Sequence, residues 1–177
     1  MNKKLKLWEL DRKTQAEFHV QEKFPVVLLL DDIRSLNNVG SFFRTADAFN
    51  IEKIILGGIT ASPPHKDIRK TALGATETVA WSHVENLIDE VKALQKKGYS
   101  VAVVEQAEKT TLLQEVKNFE KKPFALIFGN EVNGVNQELI DCADCVLEIP
   151  QFGTKHSLNV SVCAGIVVWE FCKKFIE

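Results

Sequence analysis

A chain of 177 residues with 45% hydrophobic and 26% charged side chains has enough apolar material for one buried core and the composition of an ordinary globular protein. Its formal charge of -2 excludes a surface that is basic all over, so any nucleic-acid contact has to be a local patch. No apolar run approaches the roughly 20 residues of a bilayer-crossing helix. No apolar signal core follows the lysine-rich N-terminus, and four cysteines suit a reducing compartment, so the expected setting is cytosolic.

Residues 1–23 are polar, with Lys3, Lys4, Lys6, Arg12 and Lys13 around isolated apolar points such as Leu10 and Phe18. They read as an N-terminal arm or short surface helix, or else as a solvated tail. The main domain is expected over 24–177. Pro25 to Asp31 is a continuous apolar run, the pattern of a strand covered on both faces. Asn37, Asn38 and Gly40 read as a break, and Ser41 to Phe49 as a helix. Ile54 to Leu56 is a second buried strand, closed by Gly57 and Gly58. Residues 60–76 read as a loop, in which Pro63 and Pro64 precede the densest internal basic cluster, His65, Lys66, Arg69 and Lys70. Thr78 to Trp81 is the third strand, and Glu85 to Lys97 an amphipathic helix stopped by Gly98.

Ser100 to Val104 is the fourth strand, Leu112 to Val116 a short helical stretch, and Phe124 to Phe128 the fifth strand. Gln137 to Cys142 is helical and Val146 to Ile149 is the sixth strand; Pro150 has no N–H to continue a ladder, so the chain leaves the sheet there. In the last helix Val160, Ala164, Val168 and Cys172 recur every fourth residue, beside Cys163, Val167 and Phe171. That face is wide enough to be core alone or to bury part of itself on a second subunit, and a homodimer is the reading taken. Strands alternating with helices define an α/β fold, a parallel sheet with helices on both faces.

In such a sheet the loops after the strands share its carboxyl edge, where α/β proteins bind ligands. Three of these loops are unusual: Asn38 to Ala46 with Arg44, Gly129 to Gly134 with Glu131, and the stretch after Pro150 with Lys155, His156, Ser157, Asn159 and Ser161. The last holds more capping side chains than one helix start needs. No G-x-G-x-x-G follows the first strand, and the chain contains neither G-x-x-x-x-G-K-[ST] nor G-x-S-x-G. Cys142 and Cys145 form a lone C-x-x-C, and the four histidines are dispersed, so no metal is expected.

The three loops resemble, in order, the motifs of the SpoU (TrmH-like) branch of the SPOUT RNA methyltransferases. Asn38–Ala46 matches N-x-x-x-x-x-R-T-A, Gly129–Gly134 matches G-x-E-x-x-G, and Ile149–Ser161 matches I-P-x-x-G-x-x-x-S-L-N-V-S. The likeness spans roughly residues 24 to 175. It implies a C-terminal deep trefoil knot, S-adenosylmethionine as cofactor, a homodimer whose active sites draw on both subunits, and methyl transfer to a ribose 2′-hydroxyl of RNA. Carried over residue by residue, it places the cofactor near Val104, Glu105, Gln106, Gly129, Ile149, Ser157 and Leu158. The chemistry falls to Asn38, Arg44, Glu131, Ser157 and Asn159.

Residue chemistry is compatible with that assignment. An activated electrophile leaves positioning and local electrostatics to supply the rate. Arg44 can orient a phosphate and stabilise oxyanion character, but guanidinium does not give up its proton. The proton is then expected to pass to Glu131, an RNA phosphate or water; alternatively Glu131 is a loop carboxylate capping the helix that follows it. Glycines 129 and 134 are expected to let the cofactor approach the main chain. RNA footing is expected from His65, Lys66, Arg69, Lys70 and Lys155, with transfer RNA ahead of ribosomal RNA because the chain is compact, and no DNA. Two other readings stay open: a catalytically silent RNA-binding or assembly factor on the same scaffold, and a nucleotide-binding α/β protein without RNA.

Overall fold

The structure, a computed structural model, describes residues 1–176, so Glu177 at the end of the expected domain lies outside the described residues. Seven strands form one sheet: β1 (Phe24–Asp31), β2 (Ile51–Gly57), β3 (Trp81–Val84), β4 (Ser100–Val104), β5 (Thr111–Leu112), β6 (Phe124–Phe128) and β7 (Cys145–Glu148). Their order is β3-β2-β1-β6-β4-β7-β5 and each pairing is parallel. The helices are α1 (Gln15–Val20), α2 (Leu36–Ala48), α3 (Lys66–Ala72), α4 (Leu87–Lys96), α5 (Gln137–Cys142) and α6 (Val160–Ile176).

The period of two along the strands divides the core into two layers. Val26, Leu28, Leu30, Leu126 and Phe128 pack with Phe42 and Phe43 of α2, Ile68 of α3, and Val167 and Phe171 of α6. Val27, Leu29, Val101, Val103 and Ile127 face the other way, against Leu87, Val91 and Leu94 of α4 and Leu139 of α5. Helices therefore cover both faces, which is why these strands read as continuous apolar runs. Two edge-to-face ring contacts fix the first layer: Phe42 to Phe128 at 5.2 Å and Phe124 to Phe171 at 4.6 Å between centroids.

Strands β4 and β6, α5 and the general position of β7 fall where the sequence places them. The differences come from one local cap and from contacts between distant segments. α2 begins at Leu36, five residues before the expected helix start, because the Ser35 hydroxyl accepts the Asn38 N–H at 3.3 Å and caps it. Gly40 is no break. A Cβ there would lie 2.1 Å from Thr71 Oγ1 and 2.3 Å from the Ile68 carbonyl, so its missing side chain is what lets α2 and α3 touch. The expected loop over 60–76 contains α3, a helix secured by burial of Ile68 and Ala72 one turn apart. β3 starts at Trp81 rather than Thr78, since the Thr78 hydroxyl bonds Asp47 and the Ala75 carbonyl and holds Thr78 in the turn that follows α3. The two-residue strand β5 was too short to carry a sequence signal.

The arm is ordered into a 3-10 turn at Leu7–Glu9 and α1, which has the full capping box of Thr14 and Glu17 and buries Phe18. All four cysteines are free thiols, and among the described residues no group of three His, Cys, Asp or Glu side chains is placed to hold a metal. No helix among the described residues is long and apolar enough to cross a membrane. Replacement Gly40→Ala is expected to destabilise the protein by about 1–3 kcal/mol, the cost of overpacking against backbone outweighing the gain in helix propensity; the midpoint and slope of urea unfolding measure it.

Candidate active site

The sequence order of the strands reverses around β1 and β6: β2 and β3 run outward from one side of β1, while β4 and β7 lie beyond β6. Such a switch point leaves a crevice at the carboxyl ends of the strands. Here it is a cavity of about 660 Å³, within the usual range for a small-molecule site. Val104, Glu105 and Gln106 after β4, Gly129 to Val135 after β6, and Leu147 to Ile149 with His156 to Val160 after β7 line it. All seven residues expected to hold the cofactor are among them. Ile140, Leu147 and Cys163 supply apolar wall, and burial, with Glu105 nearby, pushes the Cys163 thiol up to about 12. This cysteine stays a protonated, space-filling group.

Each loop has a local reason for its shape. Asn130 and Gly134 exchange both backbone hydrogen bonds at 3.0 Å, closing a tight turn, and the Asn130 side chain accepts the Val132 and Asn133 N–H groups. Asn130 Nδ2 donates to the Asp32 carbonyl at 2.7 Å, tying this turn to the end of β1. Gly134 has φ +70°, and a Cβ on it would sit 2.3 Å from Glu105 Oε2; one on Gly129 would sit 2.3 Å from the Val135 nitrogen. Both glycines are thus required by the loop's own packing, a stricter reason than access for a ligand. Glu105 accepts the Gln106 N–H at 2.8 Å and the Val135 N–H at 3.1 Å, and so fastens the loop after β4 to the one after β6.

At the mouth of the cavity the three motifs meet in a continuous lattice. Glu131 Oε1 accepts the Ser35 N–H at 3.0 Å and Asn38 Nδ2 at 2.9 Å, while Oε2 accepts the Arg34 N–H at 3.0 Å. Asn38 Oδ1 in turn accepts Asn159 Nδ2 at 3.2 Å. Asn159 Oδ1 accepts Ser161 N–H at 2.9 Å and Val162 N–H at 3.3 Å, capping α6. Of the three capping side chains in the last loop it is therefore Asn159 that caps, and Ser157 lines the cavity. Partial burial by itself would raise the Glu131 carboxyl; the donors from Arg34, Asn38 and Ser35 outweigh it and hold the group below its ordinary value. A carboxylate so fully engaged is a weak proton acceptor and a strong brace. It holds the segment that enters α2, whose cap is Ser35, and does not cap the helix that follows Glu131.

Arg44 does not line this cavity. It is exposed, six residues beyond Asn38 on α2, and borders a separate groove of about 250 Å³ with Gln15, Asp47, Leu73, Gly74 and Thr78. His65 and Arg69 border a third groove, Lys66 and Lys70 are exposed on α3, and Lys155 is exposed on the loop that carries the cavity residues Gln151 and His156. Asn130 and the Glu105 side chain escaped the sequence reading; an asparagine four residues before a loop glycine is an Asx-turn signal that points to the first, and nothing local points to the second.

A parallel α/β protein with a cavity at the switch point and three motifs meeting at its mouth is the class this geometry defines. A model of the SpoU rRNA methylase family matches residues 25–169, and the chain belongs to that family. It is 30% identical to an uncharacterized tRNA/rRNA methyltransferase of Borreliella burgdorferi over 96% of this chain and 73% of that one. It is 35% identical to the 23S rRNA (guanosine(2553)-2'-O)-methyltransferase RlmP of Bacillus subtilis over 81% of this chain and 56% of that one. Among solved structures, the AdoMet-bound rRNA methyltransferase of Sinorhizobium meliloti superposes with a TM-score of 0.78 at 26% identity, covering 96% of this chain and 63% of that one. The A. aeolicus TrmH/SpoU tRNA modifying enzyme shares the fold with a TM-score of 0.80 at 24% identity, over 90% and 80% of the two chains. The chain spans roughly three fifths of the length of most curated relatives it matches, for example 63% of a Staphylococcus saprophyticus TrmH-family protein and 60% of RlmB from Pseudomonas aeruginosa.

Because the folded Glu131 group sits below its unfolded value, its contribution is present above the ordinary carboxylate range and is lost as pH falls through the lowered folded value. Glu131→Gln is therefore expected to be less stable than the parent at pH 7 by about 1 kcal/mol. The gap should close in acid, as measured by denaturant unfolding across pH.

Proposed function

We propose that this chain transfers a methyl group from S-adenosylmethionine to a ribose 2′-hydroxyl of RNA. The observation that carries this is the cavity bounded by the loops after β4, β6 and β7, with the Glu131–Asn38–Asn159 lattice at its mouth. Its mixed lining of main-chain groups, Glu105 and apolar side chains fits a nucleoside carrying an amino acid. The cofactor would bring a methyl already activated by its sulfonium, so the chain has only to orient, exclude water and manage one proton. Val104 to Gln106, Gly129, Ile149, Ser157 and Leu158 would hold it. Asn38 and Asn159, locked by Glu131, would fix the ribose side, with Ser157 at the same wall. With Glu131 engaged by three donors, the proton passes more readily to an RNA phosphate or to water.

The trefoil knot belongs to the same reading: β7 is inserted between β4 and β5, and the chain after it returns so that Gln106 Nε2 donates to the His156 carbonyl. So does a homodimer. Six residues along α2 turn Arg44 away from Asn38 and carry it about 9 Å along the axis, so Arg44 would serve the cavity of a second copy. Val162, Ile166 and Trp169 form an exposed apolar stripe on α6 at helical spacing, starting beside the cavity residue Leu158, and would be the surface that brings the two copies together. RNA would rest on Lys66, Arg69 and Lys70 of α3, with His65 and Lys155. The names of relatives divide between ribosomal and transfer RNA, and the cavity favours neither. The four free thiols suit the cytosol. A silent RNA-binding factor is disfavoured because every motif residue is present, and Asn38, Glu131, Ser157 and Asn159 gather at one cavity and its mouth.

Mass spectrometry of nucleosides from separated tRNA and rRNA of cells with and without the protein should reveal loss of one 2′-O-methylated position; no change in either pool overturns the reaction. Arg44→Ala and Asn159→Ala are each expected to abolish methyl transfer. A mixture of the two chains should regain it if Arg44 acts across the dimer, and stay inactive if it acts within one chain. Neutralising Lys66, Arg69 and Lys70 together should weaken RNA binding and flatten its dependence on salt.

A further inference from the structure

The groove that receives His65 and Arg69 has more in it than positive charge. It encloses about 190 Å³, and its wall combines Pro64, Ile68 and the half-buried indole of Trp81 with the guanidinium of Arg69 and the carboxylate of Glu77. The Trp81 ring packs edge-to-face with Phe43 of the core at 6.4 Å, which holds it in one orientation. Glu77 is exposed, and Gln15 Nε2 of the N-terminal α1 donates to it at 3.4 Å. His65 accepts the Asp67 N–H at Nδ1, so in its neutral form it carries its proton on Nε2.

These groups suit a nucleobase better than a phosphate alone. Single-stranded RNA is read by stacking splayed bases on aromatic or guanidinium planes and by hydrogen bonds to their edges. An indole beside proline and isoleucine is an apolar slot for a flat ring. A carboxylate at its rim is an acceptor pair, and guanine is the base whose Watson–Crick edge offers two adjacent donors, N1–H and the 2-amino group. Adenine presents an acceptor at the same place and leaves the carboxylate facing a lone pair. The groove also shares a wall with the one that holds Arg44: Gln15 borders that groove and bonds Glu77, and the turn over 74–78 separates the two.

We propose that the groove between α3 and Trp81 is a base-reading subsite that seats a guanine flanking the methylated nucleotide, with Glu77 accepting from its Watson–Crick edge and Trp81 against its face. This rests on Arg44 and α3 lying on the RNA path, and it makes Glu77 a specificity-determining residue outside the cofactor cavity. The acidic residue in a basic cluster then has a purpose, since it selects while Arg69, Lys66 and Lys70 attract.

The test measures binding of two fluorescein-labelled single-stranded pentanucleotides, UUGUU and UUAUU, to the full chain by anisotropy. The parent should bind UUGUU about tenfold more tightly, the scale of one good bidentate pair. In Glu77→Gln, an exposed and isosteric change, the preference should fall to parity or turn toward adenine, with affinity for S-adenosylmethionine by calorimetry unchanged. Arg69→Gln should weaken both oligonucleotides alike. Equal binding of the two by the parent, or a guanine preference that Glu77→Gln leaves intact, overturns the subsite. If the parent binds the cofactor and methylates RNA but lacks the preference, only the subsite is wrong. If the preference is present and lost in Glu77→Gln while the cofactor does not bind, the subsite stands and the methyl-transfer reading fails.

Discussion

The structure turns on one carboxylate. Glu131 spends both oxygens on three N–H donors from the segment that opens α2, and through Asn38 it reaches Asn159 at the head of α6. Loops are ordinarily the least constrained part of an α/β domain, yet here charge-assisted hydrogen bonds that hold Glu131 ionised join the ends of β1 and β6, and a neutral amide bond carries the chain of contacts on to the segment after β7. Such a mouth orients the amide groups of Asn38 and Asn159 before any ligand arrives.

That brace works only because the sheet beneath it is stiff. Every pairing is parallel, so all the chemical loops emerge on one edge, and two dry layers of aliphatic and aromatic side chains keep the strand ends in register. Glu105 and Asn130 repeat the same device at smaller scale, each spending a side chain on the backbone of a neighbouring loop. The cavity is therefore walled by main chain that its own protein has already organised. The glycines of the central motif are part of that organisation, packed against each other's turn and against Glu105.

On the other side of α2 the surface has a different character. Arg44, the α3 cations and the N-terminal helix border two smaller grooves that share no lining residue with the cavity. On the proposed reading the larger cavity, lined by polar and apolar groups alike, would hold the small molecule and the charged surface the RNA. The exposed apolar stripe of Val162, Ile166 and Trp169 on α6 starts beside the first, and is where the proposed second copy would join them.

Much of this was legible in the chain itself. The apolar runs of β1, β4 and β6, the helices at 137–142 and 160–176, and the three motif loops could be read from periodicity and residue type, since local backbone preference and burial agree there. The basic helix α3 and the role of Gly40 could not, because each depends on a partner distant in sequence, Ile68 and Thr71 against Gly40; the early start of α2 did carry a local signal, the Ser35 cap over Asn38, which the apparent break at Asn37 and Gly40 masked. The same limit applies at the site. Sequence alone determined which residue types stand after which strands, and so the family and the chemistry available to it. Only the tertiary structure decided that Glu131 braces, that Asn159 both caps and bridges, and that Arg44 turns away from its own cavity. Hydrogen-bond partners some 90 to 120 residues apart leave no trace in local propensity.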